Sequence, residues 1–550
     1  MINNLTQRFM THTESRITVF LIIIFFISAN IISLGQVVYT PLENSVYDFI
    51  GRLSIKKIIS IDDEVKPFHR KYIAEKLSLL DHKREYLNEL EEKELDWYMA
   101  EYGNELNLTD DETRWFLFNH SDSLFSFSVS PIAGYGLSAA GNNSGHSRWW
   151  GASVYSSYQS WFGASLSLRD KGEYGDNVDV NKEFTPTRGA WYKAAPNGIE
   201  YSDVIGSISL NWDWGTVSLI KDYFQWGHGK FGQLILSDKA PSYPRIDFSI
   251  KPAEWLRFSY IHGWLNSLVL DSSRFYYTYP LSEFPRLRQN YINKYIAANM
   301  LTISPNDWMD ISLGNSIVYS GDLRPEFFIP FMFFKFLDHN TGRGDIEDGN
   351  GQMYFDFSVK YPESYHFYST VFIDVTEIRN ILKGEFYNTW FGFSLGGEKV
   401  DLLIPNLDIL FEWTHISPWV YEHKDETTNY KHLNYYLGHW LGQNSDQLRL
   451  QLNYKIIRGL SVSAFAERVR KGGLLDIYYA YEAPLDLEFL YSPLRKDINV
   501  GFTASYEYLH DLIFKLDYHH SQVSDDQTGR TPSYLIGEKE NFFLQIYYGL

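Results

Sequence analysis

A regular alternation of apolar and polar positions runs from about Ser121 to the end of the chain. In LRLQLNYKI (residues 448–456), leucine, tyrosine and isoleucine alternate with Arg449, Gln451, Asn453 and Lys455. Strand side chains alternate between two faces, so this segment separates two environments. Because the pattern recurs, we predict that this part of the chain is β structure. The other clear examples are FGASLSLRD (162–170), MYFDFSVKY (353–361), LDILFEW (407–413), LIFKLDYHH (512–520) and NFFLQIYYGL (541–550).

The length and the linking of these segments favour a membrane barrel. A tilted strand needs about nine to eleven residues to cross a bilayer, and these segments have that length. Tight links at 457–459 and 509–511 alternate with long polar stretches such as 417–447, 470–497 and 521–539. Short turns at one end and long loops at the other are the outer-membrane pattern. The spacing predicts a transmembrane antiparallel β-barrel of roughly eighteen strands over residues 119–550. A soluble sandwich or propeller is the alternative, but it does not explain the strand length.

Residues 36–118 follow helical spacing instead, and we predict a small periplasmic α-helical region there. Ser45 is the predicted N-cap of a first helix, with Asp48 three residues later. Pro67 is predicted in the first turn of a second helix. The third predicted helix, LNELEEKELDWYMAEYGNEL, is acidic, and we interpret its charges as a solvated face. The apolar positions that share a face in the first two helices are Val46, Phe49, Ile50, Leu53, Ile73, Leu77 and Leu80.

The N-terminus has the three parts of a secretory signal. Arg8 and Arg16 carry positive charge, TVFLIIIFFISANIIS is apolar, and Ser33 and Gly35 have small-x-small spacing. We therefore predict a signal peptide over residues 1–35, with a single membrane anchor as the alternative. No later run approaches the length of a membrane helix, so a mature chain in a membrane must be a barrel.

Composition narrows the function classes. The net charge is −19, with 68 acidic and 49 basic residues, which argues against a nucleic-acid partner. The chain has no cysteine, and this excludes disulfides, thiolate metal sites and a catalytic thiol. Aromatic residues make up 17% of the chain, which is high for a soluble protein.

An early segment contains YDFI (47–50) and KPFHR (66–70), and a later one reads WGHGK (226–230) followed by LSDKAPSYP (236–244). These motifs resemble those of the capsule assembly Wzi family of outer-membrane proteins. RPEFFIPFMFFKFLDHNTGRGDIEDGNGQMYFDFSV is similar to the family's proline-rich turn, loop and Gly-Asn step into a strand. The last residue is Leu550, where outer-membrane barrels more often end in phenylalanine.

The resemblance implies a fold, a location and a function. It implies an eighteen-stranded outer-membrane barrel with periplasmic helices and a lumen blocked by loops. It also implies a lectin-like role, in which exported capsule or exopolysaccharide is the partner at the cell surface. Outer-membrane lipid and lipopolysaccharide would surround the barrel. The helical region would either contact periplasmic export machinery or simply cork the barrel.

Two regions supply candidate sugar-binding residues. In WGHGKFG, Trp226 is a candidate for stacking on a sugar ring, with close backbone approach at Gly227 and Gly229. The alternative is a tight lumen-facing bend in which glycine relieves strain. Trp419 and Trp440, both in the long predicted loop 417–447, are further candidate stackers unless they form an interfacial girdle.

The loop DHNTGRGDIEDGN supplies two further candidates, Arg343 and Asp345. Its carboxylates are suitable ligands for Ca²⁺, but it lacks the EF-hand order, so a solvated loop is favoured. His228 has no second histidine at ligand spacing, and we predict neither a metal site nor a cofactor.

Enzyme chemistry has weak support. Asp408 and Glu412 share a strand face, but their Cα atoms are about 13 Å apart at 3.3 Å per residue, too far for the usual glycosidase geometries. No nucleophile elbow is present. We predict a non-enzymatic polysaccharide-binding protein, with no catalytic residues. A diffusion porin is one alternative, and an outer-membrane glycan or lipid enzyme is another.

Overall fold

The computed structural model describes residues 37–108, 113–122, 124–279, 284, 286–341, 349–375, 390–481 and 487–549. Eighteen antiparallel strands form a closed barrel, which confirms the predicted fold class. The strands are β1 Phe125–Ala140, β2 Asn143–Tyr158, β3 Phe162–Gly175, β4 Gly198–Trp212, β5 Gly215–Asp222, β6 Tyr243–Ala253, β7 Leu256–Leu270, β8 Tyr291–Asn306, β9 Met309–Ser320, β10 Gly349–Val359, β11 Tyr365–Val375, β12 Trp390–Lys399, β13 Leu407–Ile416, β14 Ser445–Ile457, β15 Leu460–Lys471, β16 Arg495–Leu509, β17 Leu512–Asp525 and β18 Gly537–Tyr548.

Each strand pairs with the next, and β18 closes the ring by pairing with β1, from Asn541↔Ala140 to Tyr548↔Ala133. Short links such as 213–214, 458–459 and 510–511 lie at one end of the barrel, which we call the turn end. Long links lie at the other end, which we call the loop end. Five strands that border the long loops extend further into them than predicted: β14, β16 and β18 begin at Ser445, Arg495 and Gly537, and β15 and β17 end at Lys471 and Asp525.

The predicted alternation separates lumen from exterior. On β14, Leu450 and Ile456 are 44% and 46% exposed on the outer surface, whereas Arg449 faces inward and contacts Glu467 of β15. The outer surface carries a belt of exposed apolar residues that includes Leu166, Leu168, Leu313, Phe355, Phe411, Leu452, Phe514, Leu516, Phe542, Leu544 and Ile546. The strand-face assignments are therefore confirmed.

Within residues 37–108, four α-helices precede the barrel: α1 Val46–Ile55, α2 Arg70–Asp81, α3 Glu89–Glu101 and α4 Gly103–Leu106. No helix among the described residues has the length and apolar character needed to cross a membrane. The predicted apolar faces are buried together, as expected from their spacing. Their shared cluster includes Val46, Phe49, Ile50, Leu53, Ile73, Leu77, Leu80, Leu95, Tyr98 and Tyr102.

Two details of the predicted helix starts are wrong. Ser45 occupies the N-cap position, but its side chain does not cap α1, since its hydroxyl donates to Glu507. The side chain of Asn44 accepts from the first helical N–H instead, at 3.0 Å. Pro67 lies before α2, whose N-cap residue is His69.

The acidic residues of α3 form a solvated face only in part, because Glu89 and Asp96 are exposed but three others are buried. Glu91, Glu94 and Glu101 are only 3–6% exposed. Glu94 accepts from Lys455 of β14 at 2.6 Å, and Glu91 pairs with Arg52. Buried carboxylates require such partners, because an unpaired charge is costly to desolvate.

The helices lie against the turn end. Trp97 of α3 stacks on His510 with ring centroids 3.5 Å apart, and the guanidinium of Arg458 lies 3.8 Å from the Trp97 ring. Both partners belong to short links. The predicted signal peptide, residues 1–35, lies outside the described residues.

A segment after β9 folds over the outside of the barrel, and we call residues 325–341 the strap. It contains α5, Phe334–Thr341, and buries Phe327 and Phe334 against the outer faces of β7, β8 and β9. Asn299 of β8 donates to the carbonyls of Pro330 and Met332 at 2.7 and 2.8 Å. The strap therefore supplies hydrogen-bond acceptors to the outward-facing amide of Asn299, which lipid tails could not do.

Candidate functional site: the plug in the barrel lumen

Two long loops from the loop end fold into the lumen, and we call residues 223–242 and 417–444 together the plug. Their apolar side chains pack on each other and on inward-facing residues of the barrel wall, such as Ile261 and Phe372. The buried plug residues of this cluster are Phe224, Trp226, Leu234, Ile235, Leu236, Ala240, Trp419, Val420, Tyr421, Tyr430, Tyr435, Leu437, Trp440 and Leu441.

WGHGKFG forms a tight turn at the centre of the plug. Gly227 has φ 104°, a conformation that favours glycine. A Cβ atom at Gly229 would lie 2.3 Å from the carbonyl oxygen of Gly232, so a larger residue does not fit. The N–H of Gly227 donates to the carbonyl of Glu64 at 2.8 Å, and Val65 pairs with Trp226. The segment that links the N-terminal helices thus meets the plug inside the lumen.

His228 lies in a buried cluster of charges. Its Nδ1 is 2.5 Å from Asp356 of β10, and its Nε2 is 3.2 Å from Asp63. Lys360 also reaches Asp63, at 2.8 Å. Burial alone would lower the pKa of His228, but the carboxylates of Asp356 and Asp63 outweigh it and raise this pKa to about 10.

This cluster also has the residue types of a metal site. Ligand atoms of Asp63, His228 and Asp310 lie within 4.8 Å of one another. However, Lys360 and Arg257 already neutralise the two carboxylates, with Arg257 Nη2 2.7 Å from Asp310. A divalent cation would have to displace both groups. We therefore interpret the cluster as an ion-pair network that joins the plug to the barrel wall.

The pKa of His228 makes a prediction about the plug. Because the folded pKa is raised above 6.5, the ion pairs contribute fully below pH 6.5 and are lost as the pH rises through about 10. Hydrogen exchange of the peptide 226–232, corrected for the intrinsic rate, should therefore show falling protection between these pH values. His228→Gln should flatten this pH profile. An unchanged profile in the variant would assign the pH dependence to another group.

Glu412 of β13 fixes the other half of the turn. Its carboxylate accepts from the backbone N–H groups of Lys230 and Phe231, at 2.7 and 3.2 Å, and from the Tyr368 hydroxyl, at 2.6 Å. Asp408, the other member of the carboxylate pair considered for glycoside hydrolysis, binds Arg52 instead. Both carboxylates thus serve structural contacts.

A cavity of about 230 Å³ lies between the plug and β14–β15. Phe231 and Trp440 line it from the plug, and Gln447, Arg449 and Glu467 line it from the wall. The Arg449 guanidinium lies between two rings, 4.4 Å from Phe231 and 4.3 Å from Phe465. The sequence pattern placed Arg449 in the lumen, but nothing in it indicated which plug residues would face it.

The plug brings together five of the predicted ligand residues: Trp226, Gly227, Gly229, Trp419 and Trp440. Trp226 is 1% exposed, and Trp419 and Trp440 are 6% and 7% exposed, so other protein atoms cover most of each ring. Of these five, Trp440 borders the cavity, and its Nε1 donates to the carbonyl of Phe231 at 2.9 Å. Arg343 and Asp345 lie outside the described residues. Sugar binding by any of these residues stays a prediction.

Comparison with known proteins places the fold. Neither a family model nor a curated protein sequence matches the chain. A solved structure of Wzi, described as an outer-membrane protein of group 1 capsule assembly in Escherichia coli and a carbohydrate-binding β-barrel, is similar with TM-score 0.56 and 12% identity, over 94% of this chain and 100% of that one. Pseudomonas aeruginosa OprD has 11% identity over 77% and 95% of the two chains, with TM-score 0.39. The chain has the fold of an outer-membrane β-barrel.

Proposed function

We propose that this protein is a lectin-like outer-membrane barrel that binds exported polysaccharide and supports its assembly or attachment at the cell surface. The observation that carries the proposal is the filled lumen. An open barrel of this size would leave an aqueous channel, as porins do. Here the plug occupies the lumen from the loop end and the helices cover the turn end.

Two further points support the proposal. The fold is similar over nearly the whole chain to a barrel described as carbohydrate-binding. The motifs around Tyr47, Lys66 and Trp226 resemble the capsule assembly Wzi family. By the outer-membrane pattern of short periplasmic turns, we infer that the turn end and its helices face the periplasm and that the loop end faces outward. Binding would be noncovalent, and many weak contacts along one polymer would add up through avidity.

The test is the distribution of polysaccharide between cell surface and medium, with the chain present and deleted. If the proposal holds, deletion releases polymer that is still made in normal amounts, and restoring the chain reverses this. An unchanged distribution would contradict the proposal. Conductance in a planar bilayer then tests the porin alternative.

A further inference from the structure

A short hairpin with aromatic and arginine side chains lies at the loop end, in the loop between β7 and β8. Its strands are Tyr276–Thr278 and Arg286–Arg288, and they pair antiparallel. We call residues 276–279 and 286–288, together with Phe284, the aromatic hairpin.

The hairpin exposes large aromatic rings. Tyr276 and Tyr277 are 55% and 58% exposed, Tyr279 is 75% exposed, and Phe284 is 82% exposed. A cluster of exposed aromatic side chains at a loop marks an interaction surface more often than an isolated one does. Tyr279 also has φ 56°, a strained conformation for tyrosine, and such strain concentrates at binding sites.

Two arginines share one face with a tyrosine. In the strand pairing, Arg288 lies opposite Tyr276 and Arg286 lies opposite Thr278. Directly opposite residues project on the same side of a hairpin, about 5 Å apart. Both arginines are exposed, and neither side chain forms an ion pair or a hydrogen bond with the residues that the structure describes. Their guanidinium groups are therefore available to a ligand.

The base of the hairpin is held in place. Asn290 donates its amide to the carbonyl of Arg274 at 2.7 Å, and the N–H of Asp271 donates to the carbonyl of Asn290 at 2.8 Å. Arg274 also donates to Asn293 at 3.3 Å. These contacts fix where the hairpin leaves the barrel, which lowers the entropy cost of binding.

The hairpin lies beyond the apolar belt. β7 and β8 contain 15 and 16 residues. At about 3.3 Å per residue and a tilt of about 40°, they span roughly 40 Å along the barrel axis, whereas the apolar band of such barrels is about 25 Å tall. The hairpin therefore begins on the order of 10 Å outside the hydrocarbon, which favours a soluble polymer over lipid as its ligand.

We propose that the aromatic hairpin is the contact for an acidic polysaccharide. This inference rests on the proposed function and deepens it by naming the ligand class and the surface. Guanidinium groups bind carboxylates through paired, charge-assisted hydrogen bonds, so Arg286 and Arg288 bind the uronate groups of successive sugars. The ring of Tyr276, which lies on the same face as the two arginines, covers the apolar face of a sugar ring. The chain has a net charge of −19, so the rest of the protein repels an anionic polymer. Binding is therefore specific to this contact.

The experiment uses the full chain purified in detergent and the polysaccharide isolated from the cells that carry it. The same polymer, with its uronic carboxyl groups reduced to primary alcohols, is the matched control ligand. The variants are R286Q/R288Q and Tyr276→Ala. K193Q/K496Q is the control for charge, since both lysines are exposed at the loop end. Thermal unfolding followed by circular dichroism verifies that each variant is folded.

R286Q/R288Q should weaken binding of the native polymer at least about tenfold and leave binding of the reduced polymer unchanged, because only charge-assisted contacts are lost. Tyr276→Ala should weaken the binding of both the native and the reduced polymer about threefold or more. K193Q/K496Q should bind like the wild type. Equal affinity of wild type and R286Q/R288Q, or equal binding of native and reduced polymer, would overturn the inference.

Two outcomes distinguish this inference from the proposed function. If the wild type binds neither polymer and deletion of the chain releases none from cells, the proposed function itself fails. If deletion releases polymer but R286Q/R288Q retains it, the function stands and the hairpin is not the contact. If R286Q/R288Q no longer binds lipopolysaccharide micelles but still binds the polysaccharide, the arginines bind lipid phosphate. That result also overturns the inference.

Discussion

Replacing Arg52 with alanine is expected to detach the helical region from the turn end of the barrel. Arg52 of α1 is buried and pairs with three carboxylates, those of Glu91, Asp401 and Asp408, the last at 3.0 Å. Removing it leaves Glu91 and Asp401 with Lys56, and it leaves Asp408 without a cationic partner among the described residues. Breaking a buried ion pair by removing one partner costs about 3–5 kcal/mol. That free energy is comparable to the whole stability of a small helical unit.

Limited proteolysis of the purified protein in detergent measures this effect. The Arg52→Ala variant should be cleaved within residues 37–106 under conditions in which the wild type is intact, while the barrel strands stay protected. Lys93→Ala is the matched control, because Lys93 forms an exposed pair with Glu89 at 2.6 Å. Such pairs contribute about 0.3–0.5 kcal/mol. If Arg52→Ala is as resistant as the wild type, the ion pairs do not hold the helices.

Removing both carboxylates that hold the WGHGKFG turn is expected to open the lumen. Asp356 accepts from the His228 ring and from Thr370 at 2.6 Å, and Glu412 accepts from two backbone N–H groups of the turn. In Asp356→Ala/Glu412→Ala, the His228 ring keeps Asp63 but loses its Asp356 acceptor, and the two backbone N–H groups lose theirs. Each unsatisfied buried group costs about 1–3 kcal/mol, and more when it is charged.

Single-channel recording in a planar bilayer is the measurement. The wild type should remain closed, and the double variant should show channel openings as the turn leaves the lumen. Asp517→Ala is the control, because Asp517 is a lumen carboxylate of β17 that contacts Thr503 and Lys515. Large conductance in the wild type would mean that the plug does not seal the barrel. A closed double variant would mean that the apolar contacts of the plug suffice without the two carboxylates.

The strands were predictable because their signal is local. In β10 and β14, each residue shows by its own polarity whether it faces lipid or the lumen, so alternation over nine positions sets both strand and face. The strap is an exception to this reasoning. Asn299 and Asn315 point outward but are bonded to the strap, with the Phe334 N–H donating to Asn315 at 2.9 Å. The polarity of these residues did not predict that the strap covers them.

The candidate site was only partly predictable, since its contacts join distant parts of the chain. The glycines of WGHGKFG indicated a tight bend, and the structure has one at Gly227. Nothing local to His228 indicated that Asp356, 128 residues later, would bind it. The sequence also did not indicate that Glu91 and Glu94 of α3 are buried, because their partners Arg52 and Lys455 lie on other elements. The aromatic hairpin was overlooked because its arginines and tyrosines do not form a known motif.

The sequence by itself therefore determined the class of protein: strand number, lumen and lipid faces, the helical start of the chain and the long loops at one end. Those properties depend on periodicity and composition, which each segment carries independently. Only the tertiary structure decided which two loops fill the lumen and that Glu412 and Asp356 hold them. It also decided that Trp226 is buried in the plug while Tyr276 is exposed. The reason is physical: burial and ion pairing depend on which residues meet, and closure of the barrel brings together residues hundreds of positions apart.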